Sequence, residues 1–163
     1  MTTQHGESVR MALRHVAFPV AVLLAHDGDE VRGATVTSWC SLSLDPPLLA
    51  VSIGLARRVH AALQTGSACT LNVLSAGQED IAAHFSSSVS RETGIHPVRL
   101  GRTARSVPVI PGTVVSFDCD TARLGSRAGQ ELVELAVQDV LTGEHVDPLL
   151  WHEQAPAYVH QNN

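Results

Sequence analysis

Two adjacent prolines, Pro46 and Pro47, close a stretch of strand-forming residues that is too polar for a core. Neither proline can donate to a β-ladder, and Pro46 pushes Asp45 into extended backbone, so any strand over residues 33–44 has to end there. Within that stretch the side chains at Thr35, Thr37, Ser38, Ser41 and Ser43 are small hydroxyls where a core strand carries larger apolar groups. Such a backbone is open to close approach. A planar polar ligand could lie along it and take hydrogen bonds from main-chain N–H groups and hydroxyls. The same residues also suit an ordinary half-exposed strand, and on this stretch alone that plainer reading stands.

The surrounding chain reads mainly as strands. Val9, Ala12, Leu13 and Val16 recur at helical spacing, predicting an amphipathic helix within residues 1–16 that Pro19 closes. Residues 20–25 are continuously apolar. With His26, Asp27, Gly28 and Asp29 as a turn and Val31 opening the next run, they predict a β-hairpin whose second arm is the hydroxyl-rich stretch. Further strands are predicted over 48–53, 68–74, 113–122 and 132–141, with two short ones at 149–151 and 157–159. Ser75 and Gln78 have capping-box spacing, predicting a helix over 76–85, and the polar residues 86–105 are expected to form a mobile loop. Trp39 and Phe117 are expected in the core or an interface. A mainly β barrel with a few short helices fits better than alternating βαβ units.

At 163 residues the chain is most simply one domain, 1–163. A net charge of −5 with scattered arginines argues against nucleic acid as a partner. No run is long and apolar enough for a membrane span and the first residues do not read as a signal sequence, so the expectation is no membrane and a cytoplasmic location. Cys40, Cys69 and Cys119 lack pair spacing and are expected as buried reduced thiols. The nine histidines show no paired ligand spacing, so no metal is expected. There is no GxSxG elbow, P-loop or GxGxxG turn. Arg57 and Arg58 stand at the start of a short helix-like segment, where guanidinium groups and free N–H groups favour phosphate. A solvated arginine pair on a loop is the alternative.

Taken in order, Phe18-Pro19, residues 33–47, the 48–53 strand, Arg57 to His60, Leu71-Asn72-Val73-Leu74 with Gln78-Glu79, Phe117-Asp118-Cys119 and Leu149-Leu150-Trp151-His152 resemble the flavin reductase-like proteins with an FMN-binding split β-barrel. Many of these are the small reductase component of two-component flavin monooxygenases. The resemblance implies a homodimer with one flavin per barrel, FMN or alternatively FAD, and NAD(P)H as co-substrate. It places Thr35, Val36, Thr37 and Ser38 along the isoalloxazine or ribityl side with Ser41 and Ser43 close by. Ser52 and Ile53 contact the flavin from the next strand, and Arg57, Arg58 and His60 hold its phosphate. The implied function is an NAD(P)H-dependent flavin reductase serving a partner monooxygenase. Alternatives are a flavin-dependent oxidoreductase acting directly on a small organic substrate and a non-catalytic flavin-binding dimer.

The sequence departs from this family where many members carry Asp-His, reading Gln130-Glu131 instead. A carboxylate facing a nicotinamide phosphate would repel it, which counts against nicotinamide use. Together with a loop after Phe85 that reads Arg91-Glu92-Thr93-Gly94, unlike the family's usual charged residue followed by Phe, it motivates the direct-substrate alternative. Glu131, Trp151 and His152 are therefore the candidates for the nicotinamide or substrate side.

Overall fold

The computed structural model describes residues 4–86, 98–143 and 146–159. Seven strands form one sheet in the order β3-β2-β6-β9-β10-β5-β4, every neighbouring pair antiparallel. These are β2 (Ala21–Asp27), β3 (Glu30–Val36), β4 (Trp39–Leu44), β5 (Pro47–Gly54), β6 (Ala68–Val73), β9 (Val115–Arg127) and β10 (Gln130–Thr142). The sheet curls until its β3 side meets β5, where the Ser52 N–H donates to the Ser38 carbonyl at 2.9 Å. That contact draws the sheet into the expected barrel.

The continuous apolar run at 20–25 has a direct structural cause. Ala21, Leu23 and Ala25 point into the barrel core with Val51, Leu71, Val133 and Leu135, while Val20, Val22 and Leu24 pack outside it with Leu74, Phe85, Ile110 and Leu149. A strand buried on both faces has no polar positions to alternate. The hairpin turn falls at Gly28, whose φ of 61° lies in the left-handed region.

Among the described residues three helices sit around the sheet: α1 (Gln4–Leu13), α2 (Arg58–Ala62) and α3 (Glu79–Ser86). Short strands β1 (Phe18–Pro19), β11 (Leu150–His152) and β12 (Ala155–Ala157) make a separate three-stranded sheet, and β7 (Gly101–Arg102) pairs with β8 (Pro108–Val109). At the start of α3 half of the capping box forms. Gln78 Oε1 accepts from the Ser75 N–H at 3.0 Å, but the Ser75 hydroxyl donates to the Gly112 carbonyl instead, and α3 starts three residues later than predicted.

Several expectations need correction. The stretch over residues 33–47 is not one strand: β3 ends at Val36, and β4 forms its own hairpin with β5 across Asp45-Pro46. Residues 98–105, expected within a mobile loop, are tied into the fold. β7 pairs with β8, Thr103 donates to Asp118 Oδ2 at 2.6 Å, and Arg105 pairs with Asp118 and Asp120. Ser86 belongs to α3, and residues 87–97 of that expected loop lie outside the described residues. Cys40 is exposed rather than buried. Cys69 and Cys119 are buried, directly opposite each other on β6 and β9, and burial pushes both thiols up, Cys119 to about 12. Trp39 and Phe117 pack partly buried against the barrel core.

Buried polar groups explain one of the sequence pieces. Asn72 is fully buried, donates to the Val22 carbonyl at 3.0 Å, and accepts from the Ile110 N–H and the Ser116 hydroxyl at 3.0 and 2.8 Å. It ties the segment after β8 to the sheet, because each of these groups would otherwise be buried without a partner.

Candidate active site

The closing contact between Ser38 and Ser52 lies beside a polar cleft of about 200 Å³, lined by residues 34–38, residues 52–54, Arg57 and Gln130. Alternation on β3 makes the first wall. Ala34 and Val36 turn into the barrel core, Thr35 takes the other face, and Thr37 and Ser38 continue the wall past the end of the strand. The Thr35 hydroxyl donates to the Ala82 carbonyl on α3 at 2.6 Å, so toward a ligand its oxygen has only acceptor capacity left. β5 makes the second wall with Ser52, Ile53 and Gly54, and Arg57 stands at the cleft with its Nη1 donating to the Ser86 carbonyl at 3.1 Å.

Of the candidate residues, Thr35, Val36, Thr37, Ser38, Ser52, Ile53 and Arg57 are thus brought together, while Arg58, Ser41 and Ser43 do not line the cleft. Arg58 opens α2, and Ser41 and Ser43 lie on β4, where the Ser43 hydroxyl accepts from the Asp45 N–H at 3.2 Å. Trp151 lines a neighbouring groove that shares Thr37 and Ser38 with the cleft and is bounded by Arg10 and Leu13 of α1. His152 lines neither.

Glu131 is the largest change. It is 3% exposed, on the same face of β10 as Val133 and Leu135, which point into the barrel. Its Oε1 accepts from Arg123 Nε at 2.5 Å and its Oε2 meets His60 Nε2. Arg123, then His60, hold its carboxyl below the usual range against the opposing effect of burial. Glu131 therefore does not face the cleft; its neighbour Gln130 does. His60, expected on the phosphate, turns to Glu131 instead. Sequence reasoning missed Gln130, Gly54 and Arg123. The first was visible in the two-residue period of Glu131, Val133 and Leu135, which puts Gln130 on the opposite face.

A family model described as a flavin reductase like domain matches residues 13–160. This chain belongs to the flavin reductase-like family. As members of that family go, it is 28% identical over 148 residues to the reductase component of 4-hydroxyphenylacetate 3-monooxygenase from Thermus thermophilus, covering 91% of this chain and 93% of the relative. It is 30% identical to an FMN reductase (NADH) from Agrobacterium fabrum over 88% of this chain and 79% of that one. Among solved structures, this flavin reductase-like chain superimposes on the styrene monooxygenase flavin reductase of Pseudomonas putida S12. The TM-score is 0.84 at 28% identity, over 96% and 99% of the two chains.

The donor set of the cleft fits a flavin mononucleotide. Hydroxyls and main-chain groups line its length, and the Arg57 guanidinium, a group able to pair with a phosphate, stands at the cleft. Gly54 lies between Arg57 and Gln130: a Cβ there would make ordinary contact with Arg57 Cγ at 3.7 Å and Gln130 Nε2 at 3.5 Å. No helix among the described residues is long and apolar enough to cross a membrane.

Proposed function

We propose that this chain is an NAD(P)H-dependent flavin reductase that works as a homodimer in the cytoplasm and supplies reduced flavin to a partner monooxygenase. The observation that carries the reading is the cleft between β3 and β5, which joins a hydroxyl-rich wall to Arg57 within a flavin reductase-like fold. Residues 34–38 and 52–54 hold the flavin along its length, and Arg57 takes the phosphate. A bound flavin supplies the hydride acceptor. The protein orients the two rings against each other and offers polar groups to the charge that develops, and no side-chain nucleophile is needed.

FMN and FAD both stay within the proposal, since relatives are named as reductases of each. NADH is favoured as donor because those same names specify it. The turn of Glu131 away from the cleft removes the charge repulsion that counted against a nicotinamide. It also removes one of the two features that motivated direct action on a small organic substrate, the other, the loop at residues 91–94, lying outside the described residues. Trp151 and the groove beside Thr37 and Ser38 remain available to the co-substrate.

The test is anaerobic mixing of the purified protein with NADH or NADPH and either FMN or FAD, following nicotinamide and flavin absorbance together. Stoichiometric bleaching of the flavin without any added organic substrate is the expected result. A protein that oxidises neither nicotinamide with either flavin is not a flavin reductase.

A further inference from the structure

The phosphate-binding arginine stands at the start of a segment that cannot hold its own shape. α2 has five residues, and Arg57, its N-cap position, makes no side-chain capping bond. A single uncapped turn has little stability in isolation, so the direction of Arg57 and Arg58 is set by what the turn is fastened to. Val59 and Ala62 bury their side chains in the barrel core, which anchors one face of the helix against the sheet.

A second fastening, next to the cleft, comes from the turn and first residues of the β9–β10 hairpin. The Leu55 N–H donates to the Gly129 carbonyl at 2.9 Å. Gln130 lies against Gly54 at the cleft wall. Glu131 reaches His60, one helical turn beyond Arg57, whose carbonyl accepts from the His60 N–H at 3.0 Å. Arg123 on β9 donates to the other oxygen of the same carboxylate. The His60 side chain is 18% exposed and that of Glu131 4%, so this link is sheltered from solvent.

We propose that Glu131 is a positioning residue for flavin phosphate: through His60 it holds α2 so that Arg57, at the start of that helix, presents its guanidinium group to the cleft. This rests on the flavin reading above. It assigns a task to the position where the sequence departs from its family, and the task is orientation of a cationic clamp.

FMN and riboflavin share a ring and a ribityl chain and differ by the phosphate, so their relative affinity isolates the clamp. Both flavins are titrated into the full-length parent, Glu131→Gln, Glu131→Ala, His60→Asn, the Glu131→Gln/His60→Asn double variant and Arg57→Ala/Arg58→Ala. The parent is expected to prefer FMN, and the arginine double variant to lose that preference. Glu131→Gln, which keeps the shape of the side chain, and Glu131→Ala should each lower FMN affinity by roughly tenfold while moving riboflavin affinity less than about twofold. Because the two residues act through one link, the Glu131→Gln/His60→Asn pair should be little worse than either single change.

If the Glu131 variants keep the parental FMN-to-riboflavin ratio, or lose both ligands in parallel, Glu131 is an ordinary structural residue and the inference is overturned. Additive losses in the double variant overturn it as well. A parent with no preference, or an arginine double variant that retains it, refutes the phosphate-clamp reading itself and takes the inference with it. A variant that does not fold is replaced by its more conservative partner, Glu131→Gln standing in for Glu131→Ala.

Discussion

Glu131 shows how a residue singled out in the sequence can turn to the other side of its strand. Its place beside Gln130 marked a departure from the family, but which of the two faces the cleft follows from strand alternation, and Val133 and Leu135 already fix that phase. What no alternation reveals is the partner: Arg123 lies eight residues away across a hairpin with a bulge at Leu132 and Val133, which shifts the register. The pairing has a pH signature. Because Arg123, with His60 adding to it, holds the folded-state carboxyl below 4.5, the stability from this link is complete above the unfolded-state value and is lost as pH falls through the folded one. Glu131→Gln removes the titrating group. Denaturant unfolding should find it less stable than the parent at neutral pH, with a gap that narrows from about pH 4.5 downward. A gap that stays constant with pH would mean the carboxylate carries no net charge interaction.

At the scale of elements, strand positions were legible because burial writes itself into the sequence as runs and alternations, and the two-sided burial of β2 is the plainest case. Helix contacts were not, because they depend on which surfaces meet. The small residues of β3 were read as backbone open to a ligand, and at Gly33 the backbone is indeed closely approached, but by α3. A Cβ there would lie 2.5 Å from Phe85 Cδ1 and 2.7 Å from Leu24 Cδ2. Gly33→Val should therefore push α3 off the sheet and lower the unfolding free energy by about 1–3 kcal/mol, measured by urea titration. Since α3 also accepts the Thr35 hydroxyl and Arg57 Nη1, the cleft should loosen with it. A variant as stable as the parent would show that Phe85 has room to move.

For the whole molecule, the barrel could be anticipated from the number and order of strands, whereas the surface through which it would associate could not, because exposure of an apolar side chain is settled only by tertiary structure. The helix predicted from Val9 and Leu13 exists, yet none of its residues is buried within this chain. β4 is an edge strand of the seven-stranded sheet and carries Leu42 at 49% and Leu44 at 88% exposure. An exposed edge with two leucines is a surface that soluble proteins normally cover or charge. The proposed homodimer gives this edge its cover. Sedimentation equilibrium should then return twice the 17.3 kDa of one chain, and Leu42→Glu with Leu44→Glu should shift the protein toward the single-chain mass, since two carboxylates would be desolvated at the interface. A parent of 17.3 kDa refutes the homodimer. A double variant that stays dimeric moves the interface away from β4, and the apolar side of α1, with Val9 57% exposed, becomes the surface to charge next.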